Sequence, residues 1–164
     1  MALSYSADEI YEIGVTIEKN GKKFYEASAG MAKEKTVKDL FTSLAKWENQ
    51  HVKLFEGLKA GLPQAAREPV SYDPANELQL YLKAAADSHI FRADADIPGL
   101  VSRCKTAIDA LSMALVFEKD SVVLYSTMLN LVPENLGKKD VEKILNEELK
   151  HVSIIMGEME KLKK

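Results

Sequence analysis

Cysteine is nearly absent from this chain. Cys104 is the single one in 164 residues, which excludes an internal disulfide and any metal site built from four thiolates, and fits a reducing, cytoplasmic setting. Histidine is almost as scarce, with three in all. No run is long and apolar enough to span a bilayer, and Met1-Ala2-Leu3-Ser4-Tyr5 lacks the basic and apolar regions of a signal peptide. A dominant charge is missing too. The net charge is -3 with both signs interspersed, so neither nucleic acid nor a membrane surface is expected as a partner. A Ser-His-Asp arrangement, a P-loop and a dinucleotide fingerprint are also absent. Period-two alternation is not found, which leaves strands without a place.

What is present is helix. With 46% hydrophobic and 29% charged residues, the composition is that of a soluble globular chain able to bury a full core. Ser6 and Glu9 form an N-terminal capping box, and Ile10, Ile13, Ile17, Phe24, Tyr25 and Ala29 keep helical spacing to about Met31. Thr36 with Asp39 marks a second start, and that helix runs to about Lys59, where Gly61 and Pro63 stop it. Leu62 to Pro74 holds three prolines and is predicted as a linker. Asp73-Pro74 opens a shorter helix through about Phe91, and Asp94 to Gly99 is a turn. A third long helix is predicted from about Val101 to Asn130, broken by Pro133, Asn135 and Gly137, and a last one from about Lys138 nearly to the C-terminus. The two short connections predict antiparallel hairpins, and residues 61–100 are long enough to carry the chain back between them. The expected fold is all-α: one domain over residues 1–164, a four-helix bundle with one long crossover carrying a short helix.

The chain also repeats itself. A shift of 100 residues carries Ile17-Glu18-Lys19 onto Phe117-Glu118-Lys119, Phe24-Tyr25 onto Leu124-Tyr125, and Glu48-x-x-His51 onto Glu148-x-x-His151. Amphipathic helices share apolar periodicity for free. They do not share two Glu, two Tyr and two Glu-x-x-His units in one register.

Each Glu-x-x-His unit puts both side chains on one helical face. That face is apolar, with Phe41, Leu44, Ala45, Val52 and Phe55 around the first unit and Val141, Ile144, Leu145, Val152 and Ile155 around the second. Ionisable groups in an apolar stripe are expensive to bury without compensation. Hairpins related by a pseudo-twofold would bring Glu18, Glu48, Glu118, Glu148, His51 and His151 together, where four carboxylates repel and take up protons. Two divalent cations would neutralise them. The mixed oxygen and nitrogen set suits iron or manganese, with zinc a possible substitute, whereas calcium and magnesium disfavour imidazole.

These residues resemble the ferritin-like di-iron carboxylate proteins, whose ligand pattern is a general property of that bundle. The runs Ile17-Glu18-Lys19-Asn20-Gly21-Lys22-Lys23-Phe24-Tyr25 and Phe117-Glu118-Lys119-Asp120-Ser121 are most similar to the rubrerythrin branch in its short form. The resemblance covers both hairpins and leaves out the crossover. It implies a di-iron centre in which Glu48 and Glu148 bridge, Glu18 and Glu118 are terminal ligands, and His51 and His151 bind one ion each. It further implies reaction with hydrogen peroxide or dioxygen in oxidative-stress defence, an external electron donor such as a rubredoxin, and a homodimer. Two departures stand out. A single cysteine cannot build the rubredoxin-like domain of full rubrerythrins, and Ser121 replaces the extra glutamate linked to peroxide reduction in that branch. Both favour the alternative of an iron-binding, storage or sensing protein without regular turnover.

Other residues carry narrower expectations. Tyr25 and Tyr125 each follow a ligand glutamate by seven residues, close to two turns, and are expected to donate to a carboxylate ligand. Gly14 and Gly21 flank Glu18, as Ala114 and Ser121 flank Glu118. These positions either leave space for the oxidant or permit close helix packing. His89 is expected to be a surface or packing histidine, Cys104 a buried small side chain, and Trp47 a packing or interface residue. Trp47 projects roughly 100° around the helix from Glu48.

Overall fold

The structure, a computed structural model, describes residues 5–68 and 77–163. Among them are six α-helices and no strand: α1 (Ala7–Met31), α2 (Lys35–Ala60), α3 (Glu77–Ser88), α4 (Ile97–Arg103), α5 (Ala107–Leu131) and α6 (Lys138–Leu162). None is long and apolar enough to cross a membrane. Helix α1 pairs with α2 and α5 with α6, giving the two hairpins of a four-helix bundle; in the crossover α3 packs on α5 and α4 on α1.

The helix starts follow local chemistry. The Ser6 box forms as expected: Glu9 N–H donates to Ser6 Oγ at 3.2 Å, and Ser6 N–H donates to Glu9 Oε2 at 2.8 Å. The start of α2 is different. Glu34 stands at its N-cap without a side-chain bond, and Asp39 pairs with Lys35. The Thr36 hydroxyl instead sits beside Glu158 of α6 and holds that carboxyl below its usual range. The long helix expected over 101–130 is two helices. Thr106 and Asp109 form a second capping box, which starts α5 afresh after the break at Cys104. The expected turn over 94–99 contains the start of α4, which Asp96 caps through Gly99 N–H. Helix α3 ends at Ser88 rather than near Phe91, and its expected start at Asp73-Pro74 lies outside the described residues.

Gly137 closes the second hairpin with φ 106°, a left-handed conformation that glycine adopts without penalty. A Cβ there would also strike Leu58, at 2.5 Å, and the Tyr11 hydroxyl, which donates to the Leu136 carbonyl.

The crossover supplies core. Phe91 lies with its ring centroid 5.1 Å from Phe24 and 4.6 Å from Phe117, joining the two hairpins through aromatic contacts. Asn20 donates to the carbonyls of Phe91 and Arg92, both at 3.1 Å. Cys104 is buried. His89 is fully buried, so the surface half of its expectation fails and the packing half stands. Its Nε2 lies 3.2 Å from Ser121 Oγ, and its Nδ1 accepts from Phe91 N–H at 3.1 Å. Burial lowers its pKa to about 4, against a weak opposing pull from Glu148.

An imidazole held neutral by the fold gives stability a defined pH window. The unfolded chain protonates His89 first, so its contribution is complete above about pH 6.5 and is lost as pH falls toward 4. The loss is about 3 kcal/mol across that interval at about 1.4 kcal/mol per pKa unit. Urea unfolding of wild type and His89→Gln from pH 7 to pH 4 is expected to show a steeper decline for wild type. Parallel curves would contradict this.

Candidate metal centre

Helices α1, α2, α5 and α6 each turn one glutamate to the bundle axis, and α2 and α6 add a histidine one turn on. All six residues are buried: Glu18, Glu48, Glu118 and Glu148 are 0% exposed, His51 2% and His151 4%. Their atoms form two overlapping clusters, each within 4.8 Å. One comprises Glu18, Glu48, His51 and Glu148, and the other Glu48, Glu118, Glu148 and His151. Glu48 and Glu148 belong to both. Each histidine faces the cluster through Nδ1. His51 Nδ1 lies 2.9 Å from Glu148 Oε1 and 3.5 Å from Glu18 Oε2. His151 Nδ1 lies 3.1 Å from Glu148 Oε2 and 3.3 Å from Glu118 Oε2. The ring centroids are 5.8 Å apart.

The tyrosines tie the hairpins together. Tyr25 donates to Glu118 Oε1, and Tyr125 donates to Glu18 Oε1. Each therefore reaches a cluster carboxylate of the opposite hairpin. The expectation of a donor to a carboxylate is met. That the bond crosses between hairpins is new, because helical spacing fixes a face and not the element opposite it. Burial, reinforced by the nearby carboxylates, pushes both phenols well above their ordinary range, so they remain donors.

The space predicted beside the glycines is filled. A Cβ on Gly21 would meet the Phe117 ring at 2.5 Å, and one on Gly14 would meet the Phe55 ring at 2.8 Å. These glycines serve close packing, and the expectation of room for an oxidant there is not met.

Two residues next to the cluster were not foreseen in these roles. Glu147 Oε2 lies 2.8 Å from His51 Nε2. Trp47 stacks on His151, centroids 4.8 Å apart and planes 13° from parallel. A shift of 100 residues relates positions 47 and 147, and each abuts the histidine of the opposite hairpin. That shared register was the available signal.

Electrostatically the cluster is in tension. Burial, then repulsion from Glu18 and Glu148, drives the Glu48 carboxyl well above its ordinary range. Burial and Glu148 do the same to Glu118. Burial would raise Glu148 as well, but Glu118, the hydrogen bond with His151 and the nearby imidazole of His51 hold it low. Burial would lower both imidazoles, yet the surrounding carboxylates raise His51 strongly and His151 to about 9. With protein atoms alone, the cluster therefore holds protons at neutral pH. Even so, Glu18 Oε2, both Glu48 oxygens, Glu148 Oε1 and His51 Nδ1 make no well-directed hydrogen bond, although His51 Nδ1 and Glu148 Oε1 approach to 2.9 Å. Buried polar atoms are rarely left so. These orphaned atoms converge on the two clusters, so the residues present fit a pair of metal ions.

No protein-family model matches this sequence, and no curated protein does. Among solved structures, a crystal structure from Thermotoga maritima, provisionally named a ferritin-like diiron-carboxylate protein, superposes with a TM-score of 0.75. Identity is 17%, over 98% of this chain and 98% of that chain. This chain has the ferritin-like fold. In that fold the four bundle helices and the crossover are accounted for together, and the buried Glu and His cluster lies at the bundle centre where it could bind metal.

Protons held by the cluster must leave when cations arrive. Calorimetric titration of the metal-free protein with a divalent ion at pH 7, in two buffers of different ionisation enthalpy, is expected to show net proton release. Buffer-independent heat would contradict it. The raised pKa of His151 also sets a stability window: its contribution is present below about pH 6.5 and lost as pH rises through 9. The metal-free protein is thus expected to melt at lower temperature at pH 9 than at pH 6.5. Metal-loaded protein is expected to lose much less.

Removal of one phenol tests the crossed hydrogen bonds. Tyr25→Phe leaves a buried Glu118 oxygen unpaired, at a cost of about 1–3 kcal/mol. Metal affinity is expected to fall about 10–100-fold, as when an outer partner of a ligand is lost. Unchanged melting and unchanged affinity would refute the role given to the hydroxyl.

Proposed function

We propose that this chain is a rubrerythrin-like protein that holds two iron ions and uses them against hydrogen peroxide or dioxygen. The orphaned buried oxygens, shared between two overlapping Glu and His clusters, carry the reading. The provisional name of the Thermotoga maritima structure, a ferritin-like diiron-carboxylate protein, supports two irons held by carboxylates. Glu48 and Glu148 would bridge, Glu18 and Glu118 would act as terminal ligands, and His51 and His151 would each complete one position through Nδ1. Manganese or zinc would fit the same donors less selectively.

Two bound irons would supply the electrons that reduce the oxidant. The chain's own residues do the rest. Tyr25 and Tyr125 fix the rotamers of the terminal carboxylates, and the apolar wall of Phe41, Phe55 and Phe117 limits water. Reduction of one hydrogen peroxide to two waters consumes two electrons and two protons. The electrons would come from an external reductant such as a rubredoxin. The homodimer belongs to this proposal as well.

A second reading, iron binding or storage without regular turnover, is favoured by Ser121. Its hydroxyl is buried against His89, where rubrerythrins carry a further carboxylate, and the Phe117 ring fills the space over Gly21. One experiment separates the two. Metal analysis is expected to find two irons per chain. Peroxide is then added to the ferrous protein without air, in the presence of a reductant. Rapid oxidation that repeats over many cycles supports the enzyme, and a single slow oxidation supports binding alone. Failure to retain two metals per chain would overturn both.

A further inference from the structure

The pseudo-twofold makes the centre its own control. Both halves have a terminal glutamate, a tyrosine donor from the opposite hairpin and an Nδ1-facing histidine, and both share Glu48 and Glu148. The contacts behind the two histidines differ. His51 Nε2 meets the carboxylate of Glu147 at 2.8 Å. The ring of His151 meets the face of Trp47, and its ion pairs among the described residues run through Nδ1 alone. A carboxylate behind an imidazole fixes its tautomer, orients the ring and strengthens its other nitrogen as a donor. It also adds one negative charge beside that position. An indole face orients the ring but supplies neither basicity nor charge.

We infer that the two metal positions are unequal, and that the position on His51, backed by Glu147, fills before the position on His151. Glu147 is a positioning residue, acting on the metal through His51. The inference rests on the two-metal reading above. It adds an order of loading that the pseudo-symmetric ligand set by itself would not produce. The magnitude expected of such an outer carboxylate is about 10–100-fold in affinity.

The full-length metal-free protein, given one equivalent of cobalt(II) and crystallised, tests this through anomalous scattering. Cobalt concentrated beside His51 supports the inference. Equal occupancy of both positions, or preference for His151, overturns it. No cobalt at either position overturns the two-metal reading itself, so the two failures are distinguishable. Calorimetry adds a second arm. Glu147→Leu is expected to weaken the tighter step about 10–100-fold and leave the weaker one in place, so the two steps merge. Glu147→Gln, which keeps an acceptor without the charge, is expected to fall between wild type and Glu147→Leu. Trp47→Phe should leave the tighter step unchanged. Because the Glu147 side chain is 33% exposed, its replacement is expected to leave the helical circular dichroism intact. Two affinities unaffected by Glu147→Leu would overturn the inference.

Discussion

Six ionisable side chains in the dry centre of a helical bundle are the constraint on which the rest depends. Burying a carboxylate is costly, and burying four within a few ångströms of one another is worse. Two imidazoles offset part of that charge, and protons offset more. The orphaned oxygens of Glu18, Glu48 and Glu148 show that the protein atoms do not satisfy the cluster fully. A folded chain sustains such a cluster only if its surroundings fix every member in place.

The surroundings do so by crossing over. Tyr25 holds the glutamate of the second hairpin and Tyr125 that of the first, so neither hairpin can move without breaking a buried hydrogen bond. Phe41 stacks on Tyr25 at 5.9 Å, and Phe55 lies 5.4 Å from Tyr125, which backs each phenol with a ring from α2. The crossover adds a third tie through Phe91. The crossover is thus more than a connection: it places Phe91 and the neutral His89 against Phe117 of α5, the residue next to Glu118.

Symmetry in this bundle is approximate, and its breaks are chemically directed. The buried glutamates, histidines and tyrosines repeat in register, while the positions behind them vary: Gly21 against Ser121, Ile17 against Phe117, Trp47 against Glu147. Gly21 exists because Phe117, bulkier than its counterpart Ile17, needs the space above the helix backbone. A duplicated scaffold that keeps its donors and alters their backing can hold two ions in unlike environments.

Much of this was legible in the residues. The two Glu-x-x-His units, the glutamates preceding them and the tyrosines two turns on could be paired by register alone, because a helix fixes which side chains share a face. The capping box at Ser6 and the stop at Gly61 are local chemistry and formed as read. The break at Cys104 was missed although Thr106-x-x-Asp109 spells a capping box, since the apolar pattern continues across it. Which phenol meets which carboxylate, the filling of the glycine notches by Phe117 and Phe55, and the contacts of Glu147 and Trp47 were decided only by packing. Sequence periodicity sets the azimuth of a side chain about its own helix. What stands opposite depends on how far neighbouring helices slide and rotate, and that is settled by the whole core at once.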